Sequence, residues 1–172
     1  AGDVEAGTNL AAAVGLGVYC AVQVLLPLRH HLYPGSVLWH EQGMRWSWKV
    51  MLREKSGSVT FHARDPETGR RWQVTPARYL TWRQANEMSG QPDLILQVAH
   101  MVAAELRDLG VADPEVRAEA WVSLNGRPPA LLIDPDVDLA AVRDGIARAD
   151  WILPEPDVAP LTVLARGERG SF

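Results

Sequence analysis

The sequence predicts an α+β protein: one N-terminal transmembrane helix, then a β-rich extramembrane domain with two or so helices. Three observations carry this expectation. Leu10 to Leu28 is apolar except for Gln23, stretches after Tyr33 alternate with a period of two, and a longer stretch from Pro92 repeats with helical period. The implied divisions are a spanning helix and its flank over residues 1–32, a mixed domain over 33–160 and a tail over 161–172.

The apolar run reaches roughly the 17 to 25 residues that a helix needs to cross a hydrocarbon core. Ala11, Ala12, Ala13, Gly15 and Gly17 give it a small-residue character suited to close packing against other membrane helices. A signal peptide is excluded on charge, because Asp3 and Glu5 stand where a basic region is required. A buried core helix of a soluble domain stays open at this stage. Ala1 in place of Met predicts a piece of a longer protein whose remainder is N-terminal. Arg29, His30 and His31 would put the following domain in the cytoplasm, but the positive-inside tendency is summed over all loops, so the side is open.

Tyr33-Pro34-Gly35 reads as a turn. Trp46, Trp48, Val50 and Leu52 alternate with Ser47, Lys49, Met51 and Arg53, which predicts a half-buried strand. Val59, Phe61 and Ala63 predict another, turned back through Asp65 to Gly69 into Arg71–Thr75 as a hairpin. Tyr79 to Met88 reads as helical. Pro92 opens a clearer helix with Leu94, Ile95, Val98, Met101, Val102, Leu106 and Leu109 on one face, stopped by Gly110. Arg117 to Leu124 reads as a strand with Ala118, Ala120, Val122 and Leu124 on one side, and Asn125-Gly126 as a hairpin turn into Ala130–Ile133.

Composition narrows the function classes. With 172 residues, 47% hydrophobic and 22% charged, the chain holds one globular domain beyond the apolar run. A net charge of −4 gives no nucleic-acid footprint. Cys20 stands alone inside the apolar run and packs as a small hydrophobe. His30 and His31 read as interfacial anchors, and His40 beside Glu41, His62 and His100 lack ligand spacing, so no metal site is expected. Asp134, Asp136 and Asp138 begin like a calcium loop, but Leu139 and Gly145 occupy the places of its glycine and closing glutamate, which leaves turn geometry. Arg70, Arg71, Arg78 and Arg83 form either a solvated surface or a basic face for lipid phosphates or an acidic peptide.

Gln23–Leu28, Trp39, Trp46–Leu52, Trp121–Asn125 and Ile133–Asp138 fall in an order and spacing that resembles the C-terminal half of vitamin K-dependent γ-glutamyl carboxylases and their bacterial, HTTM-type homologues. The resemblance runs from Leu10 to Asp157 and implies a polytopic membrane enzyme, of the carbon–carbon lyase class. Such an enzyme uses reduced vitamin K or another quinol, O2 and CO2 to carboxylate glutamate in a peptide or protein substrate. Membrane lipid and the glutamyl peptide are the implied partners. The family's lysine and histidine that activate the quinol belong to earlier membrane segments, so no catalytic residue maps here. Lys49 and Lys55 are the only lysines and match no catalytic position.

What the resemblance does place is a substrate edge at Trp46, Ser47, Trp48 and Arg53. A Trp pair can wall a slot while a hydroxyl and a cation hold a carboxylate. The sequence departs from the animal enzymes at Arg53, where they have histidine, and at Lys49, where they have an acid. From pattern alone, Trp46 and Trp48 equally read as the buried face of a strand. The chain by itself is expected to be inactive. Two other classes remain: a non-catalytic membrane homologue that binds quinone or lipid and presents a partner-binding outer domain, and a soluble α+β binding domain.

Overall fold

The computed structural model describes residues 2–49 and 52–160, with residues 2–9 as helical backbone only. The tail expected over 161–172 lies outside the described residues. Helix α1 (Gly2–Leu28) contains the apolar run, and Leu10–Leu32 is long and apolar enough to cross a membrane. Only 6% of its most apolar stretch is buried, and Leu16 and Leu25 are 64% and 66% exposed. The domain in this structure therefore does not cover α1 as it would cover a core helix. The helix continues through Pro27 by one residue, then tightens into a 3-10 turn over Arg29–Leu32. Proline supplies no N–H to the ladder. Its carbonyl instead accepts from His30 Nδ1 at 2.8 Å.

A short helix, α2 (Val37–His40), ends on Glu41 in the left-handed region at φ 58°. The strand expected from Trp46 onward is not there. Residues 42–48 are turns and bends, and Trp46 takes φ 70°, which no extended strand adopts. The Ser47 N–H donates to the Met44 carbonyl at 2.9 Å, closing a local turn in place of a ladder bond. Trp46 and Trp48 are 73% and 70% exposed, so they are not a buried strand face either. Alternation over so few residues fixes nothing without a neighbouring strand to pair with. Val50 and Met51 of that expected strand lie outside the described residues.

The sheet is four-stranded in the order β2–β1–β3–β4, from β1 (Lys55–Arg64), β2 (Arg71–Val74), β3 (Glu115–Leu124) and β4 (Ala130–Leu131), all antiparallel. The β1–β2 hairpin is as expected: the Gly69 N–H donates to the Asp65 carbonyl at 2.9 Å, and Gly69 takes φ 72°, a turn that glycine adopts without strain. Register sets Phe61 opposite both Val74 and Ala118, and Lys55 opposite Leu124. Every second residue of β3 is buried from Val116 through Ala118, Ala120 and Val122 to Leu124. The small Ala118 and Ala120 make room for helix α4 (Pro92–Asp108), whose Ile95, Val98, Ala99, Val102, Ala103 and Leu106 complete the core.

Two residues of the predicted α4 face fall outside that core: Met101, 47% exposed, and Leu109 just past the helix end, 71% exposed. The preceding helix, α3 (Trp82–Ser89), starts later than Tyr79 because a 3-10 turn occupies Pro76–Arg78 and Thr81 with Gln84 forms a capping box. Asn125 and Gly126 do form a turn, at φ 50° and 74°, but pairing resumes only where Val122 meets Ala130 and Trp121 meets Leu131. Asp138 Oδ1 accepts from Val116 N at 2.8 Å and Ala140 N at 3.0 Å, and Asp134 Oδ1 from Asp136 N at 2.9 Å. These aspartates are turn formers, and no metal-binding group occurs among the described residues.

A cationic cleft at the junction

A small polar core lies between α2, the start of β1 and the α3–α4 corner. Trp39 is 2% exposed, its indole N–H donating to the Leu153 carbonyl at 2.8 Å, which pins α2 to the far end of the chain. Next to it lies Lys55, the first residue of β1, with a side chain 2% exposed. Its ammonium donates to the carbonyls of Trp39 at 2.5 Å and Gly90 at 2.7 Å and to Glu41 Oε1 at 2.9 Å. All three donors of the buried cation are thereby used. The same Glu41 oxygen takes Arg53 at 2.6 Å. Desolvation sets the ionisation of this pair, holding Lys55 below the ordinary lysine range and Glu41 above the ordinary carboxylate range.

Arg53, 23% exposed, stands between this core and a cleft of about 400 Å³. One wall comes from Arg29, Tyr33 and the turn from His40 to Arg45, the floor from Gln91–Asp93 and Leu96, and the far wall from Arg143–Ala149 with Trp151 and Ile152. Tyr33 Oη donates to the Ile146 carbonyl at 2.6 Å and Gln42 Nε2 to the Ala147 carbonyl at 3.1 Å, so the two walls are stitched together. Six cations line it, Arg29, Arg45, Lys49, Arg53, Arg143 and Arg148, against Glu41, Asp93 and Asp144. Arg45 pairs with Asp93, and Arg148 with Asp150 at 2.8 Å. His40 accepts from Gln42 N at 3.0 Å, and burial lowers its pKa, so it is neutral at pH 7. A concave site with an excess of guanidinium groups is suited to anions, carboxylate and phosphate alike.

The four expected site residues divide in this structure. Arg53 lines the cleft. Trp46, Ser47 and Trp48 sit on the loop that borders it and do not contribute to the lining. The Ser47 hydroxyl accepts from Lys49 N at 3.4 Å, a local turn contact. Sequence reasoning missed Glu41, which fixes Arg53, the buried Lys55 that shares it, and the whole Arg143–Ala149 wall. The pair had no visible signal: a lysine opening a strand ordinarily reads as solvated. The basic face expected at Arg70, Arg71, Arg78 and Arg83 is not assembled as one, since Arg78 is bonded to Glu105 and Arg70 lies over the Trp72 ring at 5.3 Å. Arg71 instead joins His62, Arg64, Arg117 and Glu115 around a shallow hollow on the outer sheet face.

A helix long and apolar enough to cross a membrane, leading into a four-stranded sheet packed on α4 with a cationic cleft at the junction, defines an α+β domain carried on an apolar helix. A family model described as vitamin K-dependent gamma-carboxylase, lumenal domain, matches residues 8–158, and the chain belongs to this family. No solved structure matches the chain.

Proposed function

We propose that the chain is the substrate-side part of a membrane protein that carboxylates peptide glutamate, with the junction cleft receiving the glutamate carboxylate and Arg53 holding it. The observation that carries this reading is the position of Arg53, presented into a cationic cleft while Glu41 fixes its guanidinium from behind. Trp46, Ser47 and Trp48 enter as the loop bordering the mouth. A γ-CH of glutamate is too weak an acid for a side-chain base alone, and in this reading the family's oxygenated quinol supplies the strong base. The charged lining of the cleft does not fit the apolar ring and tail of reduced vitamin K or another quinol. That cofactor, with O2 and CO2, is therefore assigned to membrane segments of the parent outside this chain. Here α1 anchors the domain in lipid, and no nucleic acid is a partner.

The test is made in the full-length parent. Arg53→Ala should weaken glutamyl-peptide binding by roughly ten- to a hundredfold, the scale of a charge-assisted hydrogen bond, while quinol affinity stays unchanged. Equal losses for both ligands in a folded variant, or none for either, would remove Arg53 from the substrate site. Residues 1–172 alone should show neither quinol epoxidation nor CO2 fixation. The departures at Lys49 and Arg53 favour one second reading, a homologue that binds an acidic partner without carboxylating it. Peptide binding by a parent that lacks turnover would select it.

A further inference from the structure

We propose that Trp46 and Trp48 are interfacial anchors, seating the junction loop in the headgroup layer of the bilayer that α1 crosses. This goes beyond the substrate reading and rests only on α1 spanning a bilayer. Four large apolar side chains at this end of the domain are left uncovered: Leu32 is 81% exposed, Trp46 73%, Trp48 70% and Ile146 87%. Contacts place them around the exit of α1. Gly43 packs so close to the helix end that an added Cβ would lie 2.9 Å from both the His30 Cα and the Tyr33 ring. Trp46 follows Gly43 by three residues, within about 11 Å of extended chain. Leu32 precedes Tyr33, and the Tyr33 hydroxyl holds the Ile146 carbonyl at 2.6 Å.

The loop is built to hold its rings outward. Left-handed backbone is uncommon for a bulky residue and persists only where the surroundings impose it. At Trp46, with φ 70°, they do so through the Ser47–Met44 turn bond and the Arg45–Asp93 ion pair. The order Arg45-Trp46-Ser47-Trp48-Lys49 then interleaves amphipathic rings with cations. Indole seats its body among acyl carbons and its N–H among headgroups, and the cations reach lipid phosphates. Exposed Trp121 offers a contrast, since its N–H is held by Glu119 at 2.7 Å on the outer sheet face. Uncovered apolar groups beside an apolar helix that the protein also leaves uncovered share one solvent, the bilayer.

The experiment uses the full chain in vesicles of phosphatidylcholine with a minority of phosphatidylglycerol, the acyl chains brominated near the headgroups. A fluorophore on Cys20, the only cysteine, reports independently whether α1 is inserted. With Cys20 in lipid, bromolipid quenching of tryptophan fluorescence should fall at least twofold in Trp46→Phe/Trp48→Phe, while aqueous iodide quenching is unchanged. Ile146→Trp should add a bromolipid-quenched ring. Quenching by bromolipid that is the same in the native chain and the double variant, with Cys20 in lipid, overturns the anchor. The same holds if the two rings are quenched by iodide and shielded by an added peptide. Cys20 outside lipid would overturn the membrane reading itself, a result distinguishable from either.

Discussion

The sheet with α4 and the junction from Arg29 to Glu54 are organised on opposite principles. In the former, order comes from many interchangeable apolar contacts: Phe61, Ile95, Val116 and Ala118 are each fully buried. In the latter, order comes from one carboxylate, Glu41, shared by two cations, and from a few backbone carbonyls. Dispersion and hydrophobic burial need volume and tolerate substitution. A buried charge cluster needs every partner present. The junction can therefore hold charged and aromatic groups out toward a ligand or a lipid without its own core supplying the burial.

The largest effect should come from the apolar body. Phe61→Ala should cost about 3 to 5 kcal/mol, read as a fall in the thermal midpoint of the β-sheet signal. A loss below 1 kcal/mol would mean that the sheet–helix core does not carry the fold.

Glu41→Gln comes next, at about 2 to 4 kcal/mol, since it takes from the buried Lys55 and the partly buried Arg53 the one carboxylate they share. Lys55→Met on its own backbone sharpens the same point through pH. Burial lowers the Lys55 pKa in the folded state from 10.5, so the unfolded chain binds the extra proton between the two values. Stability should thus rise with pH across the window from the lowered value up to 10.5 and lose that slope in Lys55→Met. Parallel pH profiles for the two proteins would place Lys55 in water.

Smallest of all, Trp48→Ala should change thermal stability by less than about 0.5 kcal/mol, because the residue is 70% exposed and stands outside the apolar core. A loss comparable to Phe61→Ala would erase the distinction between the two regions.

The same division governs what could be read from the sequence. The β1–β2 hairpin, α4 and the β3 face were legible because each is a periodic apolar pattern ended by a recognisable stop, Gly69, Gly110 and Asn125-Gly126 in turn. The Trp46–Leu52 alternation misled because Trp, Ser and Lys fit a turn with outward rings as well as a strand. Positive φ at a tryptophan leaves no trace in composition. The cleft was only partly legible, through Arg53. Its walls come from Arg29–Arg53 and Arg143–Ala149, and Tyr33 meets Ile146 across 113 residues, a separation no local pattern encodes. The helix of spanning length was legible from length and apolarity alone.

The Lys55 ammonium also ties three separate segments into one unit. Its three partners are Trp39, Glu41 and Gly90, the last 35 residues along the chain. A cation short of any one of them is a buried and under-satisfied charge. The turn after α2, the start of β1 and the α3–α4 corner should therefore loosen together when Glu41 or Lys55 is replaced, with amide hydrogen exchange rising in step at all three. Because the same Glu41 oxygen holds Arg53, the cleft would lose its fixed guanidinium in the same event.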